Sequence, residues 1–187
     1  MVLLQACTKK LSDIISETEN ATFTIYTYDE FGAPKGSGSG FFIDPSGMGI
    51  SNYHVLDGAV KAIIKTVDGK EYEIKEVVAS DKKWDIVKFK IKPSKTQHSF
   101  LKFATKSPQK GAKIYNISAP LGLENTVSEG IVSSYREDQQ HGQTVQITAP
   151  ISPGSSGSAI LNDKGECFAV ATFQKTRGQN LNFGVLL

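Results

Sequence analysis

After residue 20 the apolar and polar positions show almost no helical periodicity and fall into short strand-like runs. The clearest run is Thr22-Phe23-Thr24-Ile25-Tyr26-Thr27-Tyr28, where β-branched and aromatic residues alternate as in a half-buried strand. Upstream the period differs. Leu11, Ile14 and Ile15 stand at helical spacing among Lys, Asp and Glu, which predicts a short amphipathic helix within residues 8–20. Residues 29–35 read as a loop, and Gly36-Ser37-Gly38-Ser39-Gly40 then runs into the apolar Phe41-Phe42-Ile43. Asp44-Pro45-Ser46-Gly47 marks a hairpin before residues 48–52. Further strands are predicted at 60–67, 71–79, 86–91, 113–118, 126–135, 144–148, 158–162, 167–174 and 181–186, with tight turns at Asp68-Gly69 and Asp163-Lys164-Gly165.

Many short strands and almost no helical periodicity after residue 20 predict an all-β barrel or sandwich. The segment 93–111, with several Lys and Pro and few periodic apolar positions, divides the strands into two lobes, about 21–100 and 101–187. Residues 1–20 form a lead-in.

Composition excludes several classes. With 187 residues the chain can bury a core without staples, and 21 Lys+Arg against 19 Asp+Glu leave no basic footprint for nucleic acid. Cys7 and Cys167 make no metal-ligand spacing, so neither a metal site nor a cofactor is expected. No apolar run reaches the length of a membrane span. The start, Met1 to Cys7, is open to two readings. It is similar to the tail of a bacterial lipoprotein signal, with a lipid anchor at Cys7 and a place in the cell envelope or periplasm; it also reads as an ordinary cytoplasmic start.

Candidate chemistry lies in three places. Ser152-Pro153-Gly154-Ser155-Ser156-Gly157-Ser158-Ala159-Ile160 packs glycines around serines before an apolar pair, as a sharp bend aiming a hydroxyl and several N–H groups at one point would require. Taken alone it also reads as a flexible loop. His54 follows a predicted strand, in what reads as one tight turn of helix; His98 and His141 fall in polar stretches that read as exposed loops. Asp85 stands between Trp84 and an apolar strand, where a partly desolvated carboxylate needs a donor such as an imidazole N–H. The order His, Asp, Ser on an all-β scaffold is that of the double-barrel serine peptidases.

Four motifs in order carry a resemblance. Gly38-Ser39-Gly40-Phe41, Ser51-Asn52-Tyr53-His54-Val55, Asp85-Ile86-Val87 and Pro153-Gly154-Ser155-Ser156-Gly157-Ser158 resemble the trypsin-like serine peptidases of the HtrA (Deg) branch, from about residue 20 to the end. The resemblance implies two six-stranded antiparallel β-barrels, chymotrypsin-like, behind a short N-terminal helix. It implies Ser156 as nucleophile, His54 as general base and Asp85 as the group that orients the imidazole. The backbone N–H groups of Gly154 and Ser156, helped by Ser155, are then the oxyanion hole. Residues 148–151 align with one wall of the primary pocket, through Thr148 and Ile151, and Ala171, Thr172 and Phe173 with the other. With no acid in that wall, apolar residues are expected before the cleaved bond.

The match has departures. Ser155 stands in an Asn place, Ser158 in a Gly place, and Tyr53 where an alanine is usual. No Ile-Val-Gly-Gly start is present, and no peptide-binding domain follows, so a single-domain member or a fragment is expected. Polypeptide substrates, unfolded ones among them, and a trimer built as in HtrA-like proteins are implied by the resemblance. A different class stays open: a catalytically silent chymotrypsin-fold module that binds peptides or senses them.

Overall fold

The computed structural model describes residues 10–93, 95–118, 126–139, 141–174 and 181–187. Cys7, with its expected lipid anchor, lies outside them.

Helix α1 (Leu11–Thr18) leads through a 3₁₀ turn into the first six strands: β1 (Thr22–Tyr28), β2 (Pro34–Phe42), β3 (Met48–Ser51), β4 (Lys61–Thr66), β5 (Glu71–Asp81) and β6 (Ile86–Ile91). A one-turn helix, α2 (Tyr53–Leu56), sits between β3 and β4. The second six are β7 (Lys113–Ser118), β8 (Thr126–Asp138), β9 (Gly142–Ile147), β10 (Ala159–Leu161), β11 (Cys167–Gln174) and β12 (Asn182–Leu186). Each set closes into an antiparallel barrel, in the orders β1-β2-β3-β6-β5-β4 and β10-β11-β12-β9-β8-β7. The chain therefore has the chymotrypsin-like double barrel.

Alternation of side chains across each strand explains how the barrels fill and join. Phe23, Ile25, Phe42, Ile64, Val87 and Phe89 fill the first barrel. Ile114, Val132, Val145, Ile147, Ile160 and Phe168 fill the second. Phe41, the neighbour of Phe42, points the other way, into a shared seam with Ile50, Tyr115, Ile117, Leu161 and Val170. Ile14 of α1 enters the same seam and is 1% exposed. Full burial of each such side chain contributes about 1.5–3 kcal/mol, so the seam binds the two barrels into one body.

Three expectations need correction. β2 begins at Pro34, so the loop expected over 29–35 ends before it and Pro34 and Lys35 are strand; Gly36 to Gly40 pair with Thr27 to Phe23 of β1. At Gly38 the run leaves room for the Val55 side chain and the Ser156 carbonyl. His98 is not in a free loop: its ring packs 4.5 Å from Phe42 and 5.0 Å from Tyr72, centroid to centroid. His141 stacks on Phe173 at 4.5 Å, with its Nδ1 3.1 Å from Asp138 Oδ1.

Candidate active site

The site lies where the barrels meet, and Asp85 organises its first-barrel half. Its φ of +53° is in the left-handed region, which Asp tolerates better than most residues. That turn aims both its carbonyl and its carboxylate at residues 52–54. The carbonyl accepts from Tyr53 N (3.1 Å) and Asn52 Nδ2 (2.8 Å). The carboxylate accepts from His54 N at 2.9 Å and lies 2.7 Å from His54 Nδ1. Asp85's side chain is 10% exposed and His54's 50%. A carboxylate so buried is sustained by these bonds, and they fix the half-exposed imidazole through its Nδ1.

The second-barrel half is the loop before β10, built from two consecutive tight turns. Ser155 N donates to Ser152 O at 2.8 Å, closing a turn with Pro153 and then Gly154 (φ +95°) in its centre. Ser158 N donates to Ser155 O at 3.0 Å, closing a second with Ser156 and then Gly157 (φ +89°). Positive φ at the third position is the signature of a type II turn, and Pro at the second reinforces the first of them.

The loop's peptides then alternate. Peptide 154–155 is held at both ends, by Ser152 O on its N–H and by Ser39 Oγ on its carbonyl (2.7 Å). Peptide 156–157 is held likewise: Gly157 N donates to Ala171 O (2.9 Å), and Ser156 O accepts from Ser39 N (2.7 Å). Between them, the N–H groups of Gly154 and Ser156 donate to no protein acceptor among the described residues. Two such donors flank one serine, as a nest for an anionic oxygen requires.

The halves close on each other through missing side chains. A Cβ on Gly38 would lie 2.7 Å from Val55 Cγ2 and 3.2 Å from Ser156 O. One on Gly157 would collide with Ser39 O and Ser51 Oγ. The backbone at Ser156 thus passes directly over β2, beside the helical turn that carries His54. Among the described residues the Ser156 hydroxyl makes no hydrogen bond, so it is not tied to the imidazole.

Each departure noted in the sequence finds a partner. Ser155 is 2% exposed; its hydroxyl accepts from Ser152 N and donates to Ser118 Oγ, both at 3.3 Å. Ser158 Oγ accepts from Asn116 Nδ2 at 2.7 Å. Tyr53 turns outward, its hydroxyl 3.2 Å from Asp57 Oδ1 and its ring under Lys82.

Beside Ser156 opens a pocket of about 170 Å³, lined among the described residues by Ile151, Pro153, Ala171, Thr172, Phe173 and Gln174 together with serines of the loop, none of them charged. Phe173 is held by its stack on Phe183 (4.8 Å) and by His141 on its other side. Thr148, expected in the wall, is elsewhere: its hydroxyl accepts from Ile131 N at 2.9 Å, and it does not line the pocket. Missed by the sequence reading were Asn52, which also donates to Thr172 Oγ1 (3.1 Å), and Ser39; both lay inside quoted motifs, but nothing local marked their partners. Among the described residues no cluster of three or more His, Cys, Asp or Glu could hold a metal ion.

Comparison with known proteins gives a consistent picture. Residues 38–170 match the profile of a trypsin-like peptidase domain. The putative serine protease HhoA of Synechocystis sp. is 34% identical over 158 residues, covering 80% of this chain and 40% of that protein. Protease Do-like 1, chloroplastic, of Arabidopsis thaliana is 30% identical over 155 residues, covering 79% of this chain and 35% of that protein. The chain thus spans well under half the length of these curated relatives. The crystal structure of the serine endoprotease from Yersinia pestis superposes with a TM-score of 0.83 at 23% identity, over 95% of this chain and 62% of that one. The HtrA-type protease AlgW with tripeptide gives 0.85 at 24%, over 95% and 60%.

Proposed function

The chain belongs to the trypsin-like peptidase family, in its HtrA branch, and from that premise we propose that it is a serine endopeptidase acting on polypeptides through Ser156, His54 and Asp85. The observation that carries this reading is the pair of free N–H groups on Gly154 and Ser156, next to an imidazole held by a buried carboxylate.

In the proposed reaction His54 Nε2 takes the proton of Ser156 Oγ as the oxygen attacks the scissile carbonyl. The carbonyl oxygen gains a negative charge and is received by the N–H groups of Gly154 and Ser156; each such donor is worth about 10²–10³-fold in rate. Asp85 keeps the Nδ1 proton in place and stabilises the imidazolium. That imidazolium then protonates the leaving amine, and a water molecule, deprotonated by the same nitrogen, hydrolyses the acyl-enzyme.

The side chain before the cleaved bond enters the pocket beside Ser156. A volume of about 170 Å³ whose described lining carries no charge suits a small or medium apolar residue, and a Lys or Arg would meet no counter-charge from these residues. The outer edge of β11, at 172–174, pairs with the substrate as an added strand, which selects extended and therefore unfolded or loop segments.

A second reading has one observation behind it, the absence of a bond between Ser156 Oγ and His54. In it the same groove binds peptides without cutting them. One experiment separates the two: fluorophosphonate labelling of the wild type with Ser156→Ala as control, beside a peptide-amide library. Labelling that vanishes in the variant, with cleavage after apolar residues, supports the peptidase; a wild type that neither labels nor cleaves is the binder.

A further inference from the structure

We infer that the hydroxyl of Ser39, reaching over from the first barrel, is a positioning residue that holds the oxyanion turn in place against the segment carrying His54. The inference rests on the peptidase reading and adds what holds its oxyanion hole.

The turn is held through the peptides beside its two free N–H groups. Ser39 Oγ donates to Gly154 O at 2.7 Å and Ser39 N donates to Ser156 O at 2.7 Å, so one residue grips the loop on both sides of Ser155. Ser39 is itself immobile. It pairs with Thr24 in β1, is 1% exposed, and its carbonyl accepts from Ser51 Oγ at 2.7 Å.

Ser51 is fully buried, at the end of β3, three residues before His54. A continuous path therefore runs Ser51 Oγ–H to Ser39 C=O, and Ser39 Oγ–H to Gly154 C=O. It joins the segment carrying the base to the turn carrying the oxyanion donor. Removing the Ser39 hydroxyl leaves every backbone contact of β2 in place but leaves the Gly154 carbonyl short of a donor, which costs most where water cannot replace it.

The test is Ser39→Ala, with Ser51→Ala as a second and milder variant. Expected is a fall in kcat of about tenfold for Ser39→Ala, the scale of one lost hydrogen bond, with KM little changed. A peptide boronate, whose tetrahedral adduct uses the oxyanion hole, should weaken by a similar factor while the acid product peptide binds as before. A merely structural role would lower the melting temperature and move boronate and product together, and that result overturns the inference. So does a labelled wild type whose Ser39→Ala variant keeps its kcat. A wild type that takes up no fluorophosphonate overturns the peptidase reading itself, and this one with it.

Discussion

Gly154→Ala tests the oxyanion turn directly. Gly154 has φ +95°, and a residue with a Cβ held there carries strain of about 1–3 kcal/mol. The chain can keep the turn and the strain, or rotate peptide 153–154 into a type I turn, where this residue's φ is near −90° and Ala is comfortable. The closing bond from Ser155 N to Ser152 O, 2.8 Å here, belongs to both turn types, so the rotation sacrifices no bond within the turn. The strain shifts the balance toward the rotated form by about 5- to 150-fold. Rotated molecules lack one oxyanion donor, and the loss of one donor lowers kcat by about 10²–10³-fold. The expected outcome is a kcat between tenfold and 10³-fold below wild type, roughly, with KM nearly unchanged because the apolar pocket is not touched. Steady-state kinetics on a peptide-amide substrate measure it, with fluorophosphonate labelling rates and thermal denaturation alongside. A correctly folded Gly154→Ala protein with kcat within about twofold of wild type would refute the argument, since one donor should cost far more.

Three other outcomes follow from the same structure. Asp85→Asn keeps a side chain that tolerates φ +53° but offers His54 the wrong partner for its Nδ1 proton, so kcat near neutral pH should fall by about 10⁴-fold with the fold intact, read from kinetics and near-ultraviolet circular dichroism. Burial against Phe42 and Tyr72 holds the His98 imidazole below its ordinary value; the unfolded chain therefore binds more protons, and this contribution, complete above the unfolded value, is lost as pH falls through the folded one. Urea titrations at pH 7.5 and pH 5 should show a smaller acid loss for His98→Leu than for wild type, and equal losses would contradict the sign. Burial pushes the Cys167 thiol up to about 12, so peptide mapping should find Cys167 unalkylated by iodoacetamide at pH 8 in native protein and alkylated in urea.

How much of this was legible in the sequence depends on whether a signal is local. Alternation in Thr22–Tyr28 marks a strand because each residue reports its own face, and β1 lies where that pattern is. The run 36–40 carried no such mark. Val55 and the Ser156 carbonyl press against Gly38, Phe23 and the Ile50 carbonyl against Gly40, and that pressure comes from elsewhere in the chain. His54 and Asp85 could be paired from the desolvated setting of Asp85 and the motifs around both. Ser39 and Gly154 could not: 115 residues separate them, and a serine in a glycine-rich strand names no partner. The same holds for His98 and His141, whose local polarity hid aromatic neighbours supplied by other strands.

The serines at 155 and 158 suggest why a loop with two positive-φ glycines stays ordered. Glycine gives the turns their shape but loses the most chain entropy on ordering, so each turn needs outside bonds. Ser155 ties the first to Ser118 of β7, and Ser158 ties the second to Asn116 of the same strand, at 3.3 and 2.7 Å. Ser39 holds the opposite side from β2. With peptides 154–155 and 156–157 each bonded at both ends, and Ser155 O taken by Ser158 N, what is left to rotate is peptide 153–154. The bonds of its neighbours are the same in either setting, so anything that turns such a site on or off without blocking the pocket has that one unit to act on, and Ser152 beside it is exposed.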